Sequence, residues 1–187
     1  MIGVSRKRTL EDHRGDSAGR ESHPREPLFL VLDNIRSLNN VGAIFRAADG
    51  MGVRKIFLCG ITPSPPRPEI AKISLGAEDT VSYESFADPA KAVRILQEAN
   101  IPVFCCEQTD RSASIYETTF PHPLALVLGH ETSGVDDQVL YLSDGEVEIP
   151  MYGSKHSHNV ATATGIILGE VRRQWSDGLG RTPPVDR

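Results

Sequence analysis

The 187-residue sequence has no apolar run approaching the roughly 20 residues that a bilayer-spanning helix takes, so no such helix is expected. Its first stretch, MIGVSRKRTLEDHRGDSAGRESHPREP, lacks the apolar core of a secretory signal, and the expected location is the cytoplasm. Cysteine is scarce: Cys59, Cys105 and Cys106 show no C-x-x-C spacing, and two are adjacent. All three lie in apolar, strand-like runs, which fits buried free thiols. An excess of positive charge is lacking too. Lys and Arg number 20 against 25 Asp and Glu, for a net charge of -5. The chain as a whole therefore does not read as a nucleic-acid binder, although its first residues carry Arg6, Lys7, Arg8, Arg14, Arg20 and Arg25.

Motifs for several chemistries are missing as well. No G-x-G-x-x-G follows a strand and no G-x-x-x-x-G-K-[ST] occurs, so a standard dinucleotide site and a phosphate-cradling loop lack support. The string GHETSG at 129–134 is neither H-E-x-x-H nor a G-x-S-x-G nucleophile elbow. His156 and His158 have no clear third ligand, and no metal is expected.

What is present suits one α/β domain. Residues 1–25 are polar and charged, cannot offset the entropy of ordering, and are expected to form a flexible arm. Residues 26–176 are expected to be a single domain and 177–187 a polar tail. Short apolar runs at 27–32, 53–60, 101–106, 124–128 and 147–150 predict strands, with an alternating strand at 80–85. Helices are expected between them, at 69–76, from Asp88-Pro89 onward, and over 135–142. Strands alternating with helices imply a mostly parallel sheet with helices on both faces.

The first helix, within VGAIFRAADGMGV, has Ile44, Ala47, Ala48 and Met51 as its core stripe, with Asn39 or Asn40 as its cap and Gly50 and Gly52 at its end. Arg46 lies roughly opposite that stripe. Gly42, one turn back, is expected to leave Arg46 a clear path toward Asn40; the plainer alternative is a surface ion pair with Asp49. The stretch from Pro123 to Trp175 carries the densest signal. An apolar strand enters a Gly-flanked turn, LALVLGHETSGV, and a second strand ends in a Gly/Ser/His/Asn loop that feeds a long helix. Loops at the carboxyl ends of strands are where α/β proteins place ligands. On the long helix Ala161, Ala163, Gly165 and Gly169 permit a close neighbour, within the chain or from a second copy.

Three segments together resemble the SpoU/TrmH-like RNA 2'-O-ribose methyltransferases. They are NVGAIFR at 40–46, LGHETSG at 128–134, and IPMYG at 149–153 followed by SHNV at 157–160, in matching order and spacing. The resemblance implies an α/β fold with a C-terminal trefoil knot, S-adenosylmethionine as cofactor, and a homodimer with the active site completed across its interface. It places the catalytic set on Arg46, Asn40, Glu131, Ser157 and Asn159. Cofactor contacts would fall near Glu107, Gln108, Leu128, Gly129, Ile149, Met151 and His158. His158 stands where the family usually has leucine. The plainer reading of Asn40 and Asn159 is helix capping, and that of Glu131 is bonding of loop amides. Phosphate contacts could come from the arm and from Arg36, Arg54, Lys55, Arg67, Lys72, Lys155, Arg172 and Arg173. The implied function is methylation of a ribose 2'-hydroxyl on RNA, transfer RNA ahead of ribosomal RNA. The alternative is a non-catalytic RNA-binding or assembly protein that keeps the fold.

Overall fold

A computed structural model describes residues 25–178. In chain order the strands are β1 (Glu26–Asp33), β2 (Val53–Cys59), β3 (Ser82–Phe86), β4 (Val103–Cys106), β5 (Ala113–Ser114), β6 (Leu124–Leu128) and β7 (Gly145–Glu148). The helices are α1 (Leu38–Gly50), α2 (Pro68–Ser74), α3 (Ala77–Thr80), α4 (Pro89–Glu98), α5 (Asp137–Leu142) and α6 (Val160–Ser176). The strands form one sheet in the order β3-β2-β1-β6-β4-β7-β5, and every pairing is parallel.

The apolar runs are strands because both of their faces are covered. Leu28, Leu30 and Leu32 of β1 join Leu124, Leu126 and Leu128 of β6 in a core with Ile44 and Phe45 of α1 and Ile167, Leu168 and Val171 of α6. The alternate residues Val31, Ala125 and Val127 pack on the other face with Ala92, Val93 and Leu96 of α4 and Val139 of α5. Period-2 alternation thus places apolar side chains on both sides. β7 begins two residues earlier than expected. It pairs with β4 from Gly145 onward, and a Cβ at Gly145 would lie 2.6 Å from the Phe104 ring. Beyond Glu148 the short β4 offers no further partner. The two-residue β5, too short to show a period, closes the sheet edge beside β7.

Three local readings change. Ser37 caps α1, accepting a hydrogen bond from the Asn40 N–H at 3.3 Å, so Asn40 sits inside the first turn with its side chain free for other partners. Gly42 does not serve Arg46. It is buried against α2, where a Cβ would stand 2.8 Å from the Ile70 carbonyl oxygen. Its lack of a side chain lets two helices touch. Asp49 does not pair with Arg46 either; it bonds Arg25 at 2.6 Å and the Thr80 hydroxyl at 2.7 Å. Arg25, expected as the end of the arm, is thereby docked on the domain and also donates to the Val53 carbonyl. The rest of the expected arm, residues 1–24, and the tail from 179 onward lie outside the described residues.

Because all strands run the same way, the loops after β1, β4, β6 and β7 emerge on one edge of the sheet. From β1 the chain builds outward to β2 and β3; from β4 onward it builds on the other side. The β1–β6 seam is a switch point of the kind at which open α/β sheets form a crevice.

Candidate active site

The crevice is lined by residues from five places. They are Cys106–Gln108 after β4, Leu128–Thr132 and Gly134 from the end of β6, Val147–Ile149 and Met151 around the end of β7, Ile115 after β5, and the start of α6. Its volume is about 440 Å³, within the range of about 300–1,000 Å³ typical of small-molecule sites. Leu128, Val147, Ile149 and Ile167 supply apolar walls, while Gln108, Thr132, Ser157 and His158 are among its polar residues. Its lining includes the carboxylates Glu107, Glu131 and Glu148 and neither Lys nor Arg, so its charge suits a small cationic, partly apolar molecule. Among the described residues no group of three or more His, Cys, Asp or Glu is placed to hold a metal.

The turn after β6 is closed on itself. His130 and Gly134 exchange backbone hydrogen bonds at 2.9 Å in both directions, and His130 Nδ1 accepts from the N–H groups of Thr132 and Ser133. Gly129 makes that closure possible, since a Cβ there would stand 2.3 Å from the Gly134 carbonyl carbon and the Val135 nitrogen. The open space at Gly129 is therefore taken first by the chain's own backbone.

Three carboxylates fix this turn to its neighbours. Asp33, at the end of β1 and buried, accepts from the Asp136 N–H at 2.8 Å and from the Asn34 side chain. Burial raises its pKa, partly offset by those two hydrogen bonds. Glu107 accepts from the Val135 N–H and the Gln108 N–H, both at 3.0 Å. Glu131 reaches across to the β1–α1 loop, accepting from the Arg36 N–H at 3.1 Å, the Ser37 N–H at 3.0 Å and the Asn40 amide at 2.9 Å. Desolvation pushes the Glu131 carboxyl up, but these hydrogen bonds and its own backbone N–H outweigh it and hold the pKa at about 2.

Asn40 carries the network further. While its amide donates to Glu131, its oxygen accepts from Asn159 Nδ2 at 3.0 Å. Asn159 in turn caps α6, its oxygen accepting from the N–H groups of Ala161 and Thr162. The capping and bridging roles of Asn159 coexist because one amide has both a donor and an acceptor end. A continuous chain Glu131–Asn40–Asn159 therefore joins the three segments on which the resemblance rested.

Of the twelve expected site residues, Glu107, Gln108, Leu128, Gly129, Glu131, Ile149, Met151, Ser157, His158 and Asn159 line the cavity. Asn40 does not line it, but is bonded to Glu131 and Asn159, which do. Arg46 is not in the lining; it is exposed on α1 and makes no hydrogen bond or ion pair among the described residues. The sequence reading missed Asp33, whose signal is an acidic residue ending an apolar strand. It also missed Ala163, and Ile115, Val160 and Ile167, which the cavity shares with the core. Of the cysteines, Cys59 and Cys105 are buried and their thiols are pushed up to about 12 by burial; half-buried Cys106 borders the cavity.

An open parallel α/β sheet with a small-ligand cavity at its carboxyl edge, locked by an Asn–Asn–Glu network, defines the class: an α/β domain built to hold a small ligand at its strand ends. The family model described as the SpoU rRNA Methylase family matches residues 27–169, and the chain belongs to that family. It is 32% identical over 154 residues to the 23S rRNA (guanosine-2'-O-)-methyltransferase RlmB of Neisseria meningitidis serogroup B, covering 82% of this chain and 61% of that protein. It is 31% identical over 164 residues to the tRNA (guanosine(18)-2'-O)-methyltransferase of Thermus thermophilus, covering 87% of this chain and 84% of that one. The crystal structure of the SpoU methyltransferase AviRb from Streptomyces viridochromogenes with its cofactor AdoMet superposes with a TM-score of 0.76 at 26% identity, over 87% of this chain and 66% of that one. The chain thus spans about three fifths of the length of the RlmB relative.

Proposed function

We propose that this protein is an S-adenosylmethionine-dependent RNA methyltransferase acting on a ribose 2'-hydroxyl, with transfer RNA ahead of ribosomal RNA as substrate. The observation that carries the reading is the Glu131–Asn40–Asn159 network, which brings three distant segments together at the rim of one cavity. The RNA preference rests on analogy with the tRNA-directed relative, to which the chain is 31% identical over 164 residues.

The cofactor would be held by Glu107, Gln108, Leu128, Gly129, Ile149, Met151 and His158, in a cavity whose apolar walls and acidic lining fit an adenosyl sulfonium. When bound, that group supplies an activated methyl. The protein's remaining task is to orient the hydroxyl and ease loss of its proton. Arg46 stays protonated and serves best as a clamp on RNA phosphate and the 2'-oxygen. There it stabilises developing negative charge while the proton passes to phosphate or water. Asn40 and Asn159 hold the rim in place, Glu131 anchors the β1–α1 loop, and Ser157, exposed at the mouth, is free to meet substrate.

The C-terminal trefoil knot and the homodimer belong to the same proposal. Nothing lies within 4 Å of a Cβ built on Gly165 or Gly169, so the small-residue face of α6 is open at these positions. Residues 26–176 as the catalytic domain, and the cytoplasm as its location, complete it; among the described residues no helix is long and apolar enough to cross a membrane.

The test has two arms. Calorimetric titration with S-adenosylhomocysteine is expected to give about one saturable site per chain. Transfer of labelled methyl to bulk transfer RNA and ribosomal RNA is expected for wild type and not for Arg46→Ala. Equal inertness of both proteins on both RNAs would leave the non-catalytic RNA-binding reading in its place.

A further inference from the structure

Tyr152 is 90% exposed. It stands in the 149–159 loop, between the cavity-lining Met151 and the cavity-lining Ser157, but is not itself part of the lining. It has no ring contact or hydrogen bond among the described residues. An aromatic of this size left in water at the mouth of a site calls for a partner. The surrounding chemistry says which kind. From Pro150 to His158 the loop reads PMYGSKHSH, with no carboxylate. Lys155 in this loop is exposed and forms no ion pair among the described residues, and neither do the exposed Arg36 and Arg46, which flank Asn40, the residue hydrogen-bonded to Asn159 at the end of this loop. By contrast Lys55, Arg172 and Arg173 are engaged by Glu84, Glu26 and Glu170. A lone aromatic in a polar, basic loop lacks the apolar surround of a protein interface core. It matches the way unstacked bases are held, with a ring under the base and cations beside the phosphates.

We infer that Tyr152 is a stacking platform for a nucleobase of the RNA substrate, flanked by phosphate contacts from Lys155, Arg36 and Arg46. The inference rests on the proposed function and names a positioning residue for it. Tyr152 acts on the RNA and not on the cofactor, so the two can be separated.

The experiment uses full-length Tyr152→Ala, Tyr152→Phe and Tyr152→Trp. The native tryptophan, Trp175, is buried, so Tyr152→Trp adds an exposed reporter. Bulk transfer RNA and ribosomal RNA serve as probes. Loss of one aromatic–base stack is expected to weaken RNA binding by about 5- to 100-fold in Tyr152→Ala. Tyr152→Phe should bind as wild type, and affinity for S-adenosylhomocysteine should be the same in all variants. RNA should quench the added tryptophan emission of Tyr152→Trp and leave that of wild type unchanged. RNA affinity in Tyr152→Ala within twofold of wild type overturns the inference. So does an equal loss of S-adenosylhomocysteine binding, or a change of mass by light scattering, which would assign Tyr152 to contact between copies of the chain. If wild type binds no RNA at all, the proposed function fails along with it; wild-type methyl transfer beside an unaffected Tyr152→Ala sinks the stacking role alone.

Discussion

Asn40→Asp is the substitution whose outcome the network fixes most tightly. The two side chains are nearly isosteric. The new carboxylate can still accept from Asn159 Nδ2, so the bond toward α6 is kept. The bond toward Glu131 is lost, and two carboxylates are left where an amide and a carboxylate now stand 2.9 Å apart. A hydrogen bond to a charged group contributes about 1.5–3 kcal/mol when sheltered, and the lower end applies at this exposed position. Two unit charges at that distance repel by about 1.4 kcal/mol in the dielectric of water. The sum is about 3 kcal/mol, or a drop of about 6–12 °C in melting temperature for a domain of this size. Thermal melting at pH 7 and moderate salt reads it directly. The second half of the experiment adds Glu131→Gln, whose amide can donate to the new carboxylate with the roles reversed while giving up the bond that the same oxygen accepts from the Ser37 N–H. The double variant should recover about half of the loss, a coupling of at least about 1 kcal/mol. A melting temperature within a degree of wild type for Asn40→Asp, or strict additivity in the double variant, would show that the network does not bear on stability.

Further expectations concern pH, the unpaired arginine and the tight turn. The Glu131 carboxyl titrates at about 2 when folded, against an ordinary value of 4.5. Its contribution is therefore whole above pH 4.5 and fades as pH falls toward 2. The melting advantage of wild type over Glu131→Gln should be constant from neutrality to about pH 5 and vanish near pH 2; an unchanged gap in acid would contradict this. Arg46→Ala should melt within about 0.5 kcal/mol of wild type, because an exposed, unpaired side chain carries little stability. It should also lose methyl transfer by about 10²-fold or more, and Arg46→Lys should restore little of it, since the planar fork is gone. Gly129→Ala drives a Cβ against backbone, with no rotamer to relieve it. A destabilisation of about 1–3 kcal/mol and loss of S-adenosylhomocysteine binding by calorimetry are expected.

The sheet was legible because its strands are buried on two faces and therefore spell continuous apolar runs; Leu28 through Leu32 could hardly be anything else. The cavity's residues were legible only through the three-segment resemblance, since no local pattern at Leu128 or Met151 announces a ligand. Pairings were not legible at all. Asp33 and Glu107 look like ordinary polar residues at strand ends, yet each holds a backbone N–H of the same turn, 103 and 28 residues away in sequence. The reason for Gly42 was misread because helix position alone does not tell which neighbour presses on it, and the presence of Ile70 there is a tertiary fact. The cap of α1 went to Ser37 in place of an asparagine since both residue types suit the role, and the loop's geometry chose between them.

The Asn40–Asn159 hydrogen bond closes a loop of 119 residues, and Glu131 reaches the β1–α1 loop across 95. Contacts of such sequence separation are slow to form, because the chain must be nearly complete before they repay the entropy of closure. During synthesis the first two strands and α1 would emerge long before Asn159, with their half of the rim unsupported. The ligand site should therefore be among the last parts of the molecule to exist. A chain truncated before Asn159 would contain all seven strands and lose its reason for having them.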